Sequence, residues 1–295
     1  MDSVFKGVGV AIVTPFNKEK RIDFDGLRKL VQLQINGGTD YLVVQGTTGE
    51  SPTLSQDEKK EVLATVIDEN KGRLKIVYGV GGNNTLAVGE LFKQIPEGVD
   101  GILSVSPYYN KPTQKGIIEH FKYLASCTQL PIILYNVPGR TSSNMAVETT
   151  LELAKVSNIV AIKEASGSVE QIMDLLKDKP EGFGIISGDD AITFPLLTMG
   201  ADGVISVVAN ALPEIFSKMV HSVLKGDYKE AKNIHFDLIS ITKKFFQEGN
   251  PAGVKVALAN RSICSTELRL PLVQVSEVLA SEIEKEVALL LKKYN

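Results

Sequence analysis

"IVAIKEASG", residues 159–167, runs through four apolar residues and then turns abruptly into Lys163-Glu164. A short run rich in Ile and Val reads as an interior β-strand of a parallel sheet covered on both faces. A lysine at the end of such a strand is either a solvated residue reaching for water along its aliphatic stem or a deliberately placed amine. Strand alternation puts Ala161, Lys163 and Ala165 on one face and Ile162 with Glu164 on the other, so small neighbours leave room beside the amine. The preceding apolar run, "PIILYNVP", puts Ile133, Tyr135 and Val137 on one face, where Tyr135 stands next to Lys163 if the two strands are adjacent.

The same kind of run recurs along the chain. "GVGVAIVTPF", "YLVVQG", "KIVYGVG", "GILSVSP", "PIILYNVP", "IVAIKE", "GFGIISG" and "GVISVV" alternate with amphipathic segments. In the first of these segments Leu27, Leu30, Val31 and Gln34 follow helical spacing, and Gly37-Gly38 supplies a stop. In the next, Ser55 with Glu58 three residues on has the form of a capping box. Eight β-α units within about 225 residues predict an α/β fold of the (β/α)₈ TIM-barrel type. An open doubly wound sheet is the competing assembly, but no G-x-G-x-x-G follows the first strand and no P-loop occurs; "GVGGNN" comes nearest. Beyond Val208 the strand signal stops. Residues 1–225 are expected to form the catalytic barrel and 226–295 a C-terminal helical subdomain, with breaks at Gly226-Asp227, Gly249-Asn250-Pro251 and Leu270-Pro271.

Composition narrows the function. A 43% hydrophobic and 23% charged chain has material for a substantial core, and a formal charge of −3 gives no basic surface for nucleic acid. No apolar stretch approaches the ~20 residues of a membrane span, and the acidic second residue argues against a secretory or transit leader. Cys127 and Cys264 lie far apart and form no C-x-x-C, so a reducing cytoplasm is the expected compartment. His120, His221 and His235 sit singly in helical segments and make no zinc spacing, which predicts packing or surface roles and no metal.

In a β/α barrel the reactive groups come from strand C-termini and the loops after them. An enclosed lysine has its pKa pushed down, and a neutral amine is the nucleophile that forms Schiff bases with carbonyl substrates; a nearby phenol can move the protons. "GTTGES", residues 46–51, is either an ordinary turn or one whose successive N–H groups hold a carboxylate. Arg140, after a Pro-Gly turn beyond the Tyr135 strand, is placed to grip a second carboxylate, with a surface ion pair as its plainer role. Asp189-Asp190 precede a helical segment, where capping is the expected use. Tyr108 and Tyr109 stand at a loop tip, where packing is the default and an interface the alternative.

In order and spacing, "GTTGES", "SPYYNKP", "YNVPGRT", "IVAIKEASG", "SGDD" and "LRLPL" resemble the dihydrodipicolinate synthase family, within the pyruvate-dependent lysine-Schiff-base aldolases of the N-acetylneuraminate lyase group. The resemblance covers nearly the whole chain. It implies an imine between Lys163 and pyruvate, whose carboxylate rests on the backbone at Thr47 and Thr48. The enamine then attacks aspartate 4-semialdehyde, with Tyr135, Thr47 and Tyr109 as proton relay, Arg140 on the semialdehyde carboxylate, and Gly188 and Ile205 lining the pocket. It implies no cofactor, a Tyr109 that reaches in from a neighbouring subunit, and a homotetramer built as a dimer of dimers. A sialic-acid or 2-keto-3-deoxy sugar acid aldolase is the alternative on the same scaffold; it has no use for Arg140 in a "PGRT" turn. Members inhibited by lysine carry histidine and glutamate in an interface pocket. Here Ser51, Asn83 and Tyr108 match, while Gln56 and Lys59 hold the histidine positions and Ala87 replaces the glutamate, so feedback by L-lysine is expected to be weak or absent.

Overall fold

In the computed structural model, which describes residues 4–294, each of the eight apolar runs contains a strand. They are β1 (Gly7–Ala11), β2 (Tyr41–Val44), β3 (Lys75–Gly79), β4 (Gly101–Val105), β5 (Ile132–Asn136), β6 (Ile159–Glu164), β7 (Gly184–Ser187) and β8 (Gly203–Ser206). Neighbours pair in parallel and β8 pairs back onto β1, which closes the sheet into a barrel. Side chains alternate as the period of two demands: Val43, Leu103, Ile133 and Ile186 fill the barrel, while Leu42, Ile102, Leu134 and Ile162 pack outward under the helices.

The helices are α1 (Phe24–Asn36), α2 (Gln56–Asn70), α3 (Thr85–Phe92), α4 (Gln114–Ser126), the single turn α5 (Pro138–Thr141), α6 (Val147–Leu153), α7 (Val169–Asp178), α8 (Thr193–Thr198), α9 (Pro213–Leu224), α10 (Tyr228–Gln247), α11 (Ala252–Asn260) and α12 (Glu277–Tyr294). Helix α1 buries Leu27, Leu30, Val31 and Gln34 and ends before Gly37, as its spacing predicts. The capping box at α2 is complete: Ser55 Oγ accepts the Glu58 N–H at 3.1 Å, and Glu58 returns a carboxylate oxygen to the Ser55 N–H at 2.9 Å. The breaks at Gly226, Gly249-Asn250-Pro251 and Leu270-Pro271 separate α9 to α12, and α10 packs on α8, α9, α11 and α12. No helix among the described residues is long and apolar enough to cross a membrane.

The rim at the strand N-termini carries a repeated device that the pattern of apolar runs does not reveal. Gly38-Thr39-Asp40, Gly98-Val99-Asp100 and Gly200-Ala201-Asp202 precede β2, β4 and β8, each glycine at positive φ. Each aspartate donates its N–H to a carbonyl of the preceding strand and accepts that same residue's N–H on its carboxylate: Asp40 with Val8, Asp100 with Ile76, Asp202 with Ile185, all at 2.7–2.9 Å. Strand ends that would otherwise leave N–H groups bare are thereby satisfied. Phe5 lies against Tyr41 with ring centroids 5.6 Å apart and fills the same end of the barrel.

Candidate active site

The opposite rim is hollow. An inner cavity of about 360 Å³ contains Lys163, Tyr135, Thr47, Thr48, Arg140 and Gly188 on its wall. It adjoins an outer cavity of about 440 Å³ that shares Thr47, Tyr135, Arg140 and Asn250 and opens past Tyr108 and Lys59.

Lys163 is the penultimate residue of β6 and only 6% exposed. It is in direct register with Tyr135 of β5, and its Nζ lies 4.5 Å from the centroid of the Tyr135 ring. Among the described residues no carboxylate pairs with this amine. Room for it comes from Gly188: a Cβ there would stand 3.0 Å from Lys163 Cε and 2.7 Å from the Ala165 Cβ. Any side chain at 188 would therefore press on the stem of the lysine.

The 46–51 turn folds as two short 3₁₀ segments, Thr47–Gly49 and Ser51–Thr53. Its shape is fixed from three sides. Thr14 Oγ1 donates to the Gly49 carbonyl at 2.7 Å, Asn250 Nδ2 donates to Thr48 Oγ1 at 2.9 Å, and Glu50, in the left-handed region at φ +52, is held by Lys255. The first N–H groups of a 3₁₀ turn have no partner within the turn and face outward as donors. Arg140, on the single turn α5, is exposed at the rim of both cavities and, among the described residues, has no ion-pair partner. Asp189 caps the short turn that follows it, its Oδ1 accepting the Ala191 N–H at 2.9 Å. Asp190 does something else. Its Oδ2 accepts the N–H groups of Val207 and Val208 at 2.9 and 3.1 Å and ties the end of β7 to that of β8; burial pushes its pKa up to about 6.

Two predicted site residues lie elsewhere in the chain. Tyr109, at φ +72 and 87% exposed, lines neither cavity of its own chain. Ile205 sits inside the barrel among its apolar side chains and does not reach the wall of either cavity. Conversely, Thr242, Lys243 and Phe246 of α10 and Asn250 in the break after it line the inner cavity, and Gln45 lines the outer one with both ends of its buried amide unpartnered. In sequence, Asn250 reads only as part of a helix break, because nothing local tells that its side chain points back to Thr48.

The family model described as "Dihydrodipicolinate synthetase family" matches residues 4–290. The chain belongs to this family. Proteins called 4-hydroxy-tetrahydrodipicolinate synthase from Parabacteroides distasonis and Flavobacterium psychrophilum are 51% and 49% identical to it, covering 96% and 95% of the chain and 96% of each relative. A crystal structure of dihydrodipicolinate synthase from Aquifex aeolicus superposes with a TM-score of 0.91 at 41% identity, over 99% of this chain and 98% of that one. The 4-hydroxy-tetrahydrodipicolinate synthase of Methylacidiphilum fumariolicum gives 0.94 at 40% identity, over 98% of both.

Several other polar groups around the site are tied to one another within the chain. Lys255 of α11 is fully buried, bonded to Glu50 Oε1 at 2.6 Å and to the Glu267 carbonyl at 2.8 Å, with the Phe16 ring centroid 4.5 Å away. Arg269 forks onto Glu58 at 2.6 and 2.8 Å, and the pair holds the Glu58 pKa down at about 2. His120 bonds Thr85, His221 bonds Asp40, and His235 stacks on Phe194. Both cysteines are partly buried thiols, and burial pushes Cys264 up to about 12. At the mouth, Asn83 Nδ2 donates to the Tyr108 carbonyl at 3.1 Å, and Lys59 is half-buried with its pKa lowered by desolvation.

Proposed function

We propose that this protein condenses pyruvate with L-aspartate 4-semialdehyde to give 4-hydroxy-tetrahydrodipicolinate, the committed step toward diaminopimelate and lysine. Beside its relatives' names, one observation carries the mechanism: a buried amine without a carboxylate partner, in register with a phenol, inside a cavity bordered by a donor-rich turn and an unpaired guanidinium.

Lys163 Nζ attacks the pyruvate carbonyl, water leaves, and an imine forms. The N–H groups at Thr47 and Thr48 hold the pyruvate carboxylate while Tyr135, with Thr47, moves the protons that addition and dehydration need. Loss of a C3 proton gives the enamine, whose carbon attacks the semialdehyde's aldehyde. Arg140 holds that substrate's carboxylate, bidentate, at the rim. The semialdehyde's own amine then displaces Lys163 from the imine carbon and closes the ring, so the overall reaction releases one water and returns the lysine. Gly188 keeps the space this sequence needs, and Ile205 supports the pocket from the layer below.

Tyr109 completes the relay in a neighbouring subunit's site, which makes a dimer the smallest working unit and a homotetramer, a dimer of dimers, the expected assembly. Its exposure beside Tyr108 supports that role. The scheme calls on no cofactor and no metal, and it suits a cytoplasmic enzyme divided into a barrel of residues 1–225 and a helical subdomain of 226–295. The test is pyruvate consumption by the purified protein with and without the semialdehyde. Consumption that requires the semialdehyde is expected; consumption driven only by another aldehyde would overturn the substrate assignment.

A further inference from the structure

Glu164 follows the proposed nucleophile directly and points the other way. Its side chain is fully buried outside the barrel, where no cation among the described residues pairs with it. Burial raises its pKa, while hydrogen bonds from Asn136, Ser166 and Gln171 oppose that rise. Three donor nitrogens converge on its two oxygens. Ser166 N donates to Oε1 at 2.8 Å, Gln171 Nε2 to Oε2 at 3.1 Å, and Asn136 Nδ2 reaches both at 3.1–3.2 Å. The donors come from β5, from the turn after β6, and from α7.

The network then extends to the segment that follows the Arg140 turn. Asn136 Nδ2 also donates to Asn144 Oδ1 at 2.8 Å, Asn136 Oδ1 accepts the Met145 N–H at 3.0 Å, and Asn144 Nδ2 donates to Gln171 Oε1 at 2.7 Å. Register gives the arrangement its meaning. Tyr135 pairs with Lys163 facing inward, and the next pair along the same two strands, Asn136 with Glu164, faces outward. An uncompensated buried carboxylate is costly to keep unless its bonds do something a neutral side chain cannot. Here the bonds are directional: a glutamine at 164 would turn an NH₂ toward donors in either orientation, and Asn136 and Gln171 cannot flip without losing Met145 or Asn144.

We propose that Glu164 is a positioning residue, a buried anionic clamp that holds Lys163 against Tyr135 on one side and the Arg140 turn on the other. This rests on the reaction proposed above. The experiment compares wild type, Glu164→Gln, Asn144→Ala and the double variant Glu164→Gln/Gln171→Glu, which moves the carboxylate one side chain along the same ring. Each is measured for thermal midpoint, rate of borohydride-trapped pyruvate adduct, kcat, and KM for the semialdehyde.

Glu164→Gln is expected to slow adduct formation and raise the semialdehyde KM, lowering kcat/KM about a hundredfold, the scale of an ångström-level misplacement. Asn144→Ala should raise that KM while leaving adduct formation unchanged, and the double variant should recover most of what Glu164→Gln loses. A Glu164→Gln protein that loses only thermal stability, or a double variant no better than the single one, would overturn the clamp. If Glu164→Gln fails to fold, the Asn144→Ala split and the double variant still decide. A wild type that forms no trapped pyruvate adduct would instead overturn the reaction itself.

Discussion

Two lysines are buried among the described residues, one in a barrel strand and one in a C-terminal helix, and they are opposites. Lys255 has every ammonium neighbour a buried cation asks for: the Glu50 carboxylate, the Glu267 carbonyl and the face of Phe16. Lys163 has the face of Tyr135 at the same 4.5 Å and, among the described residues, no carboxylate partner, in a cavity large enough for a small acid. An amine nitrogen over an aromatic ring is common to both, so that contact does not mark the reactive one. What marks it is the missing anion together with the adjoining space. A buried charge that is fully paired belongs to the architecture; an unpaired amine facing a cavity is available for chemistry.

That contrast is broken most severely at Lys163. Lys163→Ala is expected to reduce turnover to background and abolish pyruvate trapping while leaving the thermal midpoint near wild type, since no ion pair is lost. Tyr135→Phe keeps the ring and loses the hydroxyl. If the phenol moves protons, turnover falls by roughly 10²–10⁴-fold with the fold intact; unchanged kinetics would assign the ring a packing role only.

Lys255→Met works through stability instead. It strands Glu50 in the interior, which costs about 3–5 kcal/mol, and it loosens the turn that carries Thr47 and Thr48. Denaturant unfolding should show the loss, and adding Glu50→Gln should restore part of it. Arg140→Ala comes next: losing hydrogen bonds to a charged group is worth about 1.5–3 kcal/mol, so the semialdehyde KM should rise by about one to two orders of magnitude with pyruvate trapping unaffected. The smallest effect concerns a third lysine. Lys59 is half-buried at the mouth with no carboxylate partner among the described residues, and Ala87 supplies none, so millimolar L-lysine should leave initial rates nearly unchanged. Half-inhibition well below a millimolar would contradict this.

The barrel was legible because its signal is periodic: eight apolar runs at near-regular spacing, each with the alternation that sends Lys163 inward and Ile162 outward. The pairing of Tyr135 with Lys163 was legible for the same reason, since strand period and adjacency alone place the two side by side. Long-range side-chain partners were not. Nothing local in "EGNPAG" says that Asn250 holds Thr48, or that Lys255 reaches Glu50 across 205 positions of sequence. The adjacent acids divided: Asp189 caps its turn as the pattern predicts, but Asp190 ties β7 to β8, a contact set by closure of the barrel. Tyr109 carries no signal for what it faces, because its proposed partner lies in another subunit.

The most direct measurement is borohydride reduction of the protein in the presence of pyruvate, followed by peptide mapping. One reduced pyruvate per chain is expected, on the peptide bearing Lys163, with Lys255 unmodified and the adduct absent from Lys163→Ala. An adduct on another lysine, or none on the native protein, would contradict the assignment of Lys163 as the reactive amine.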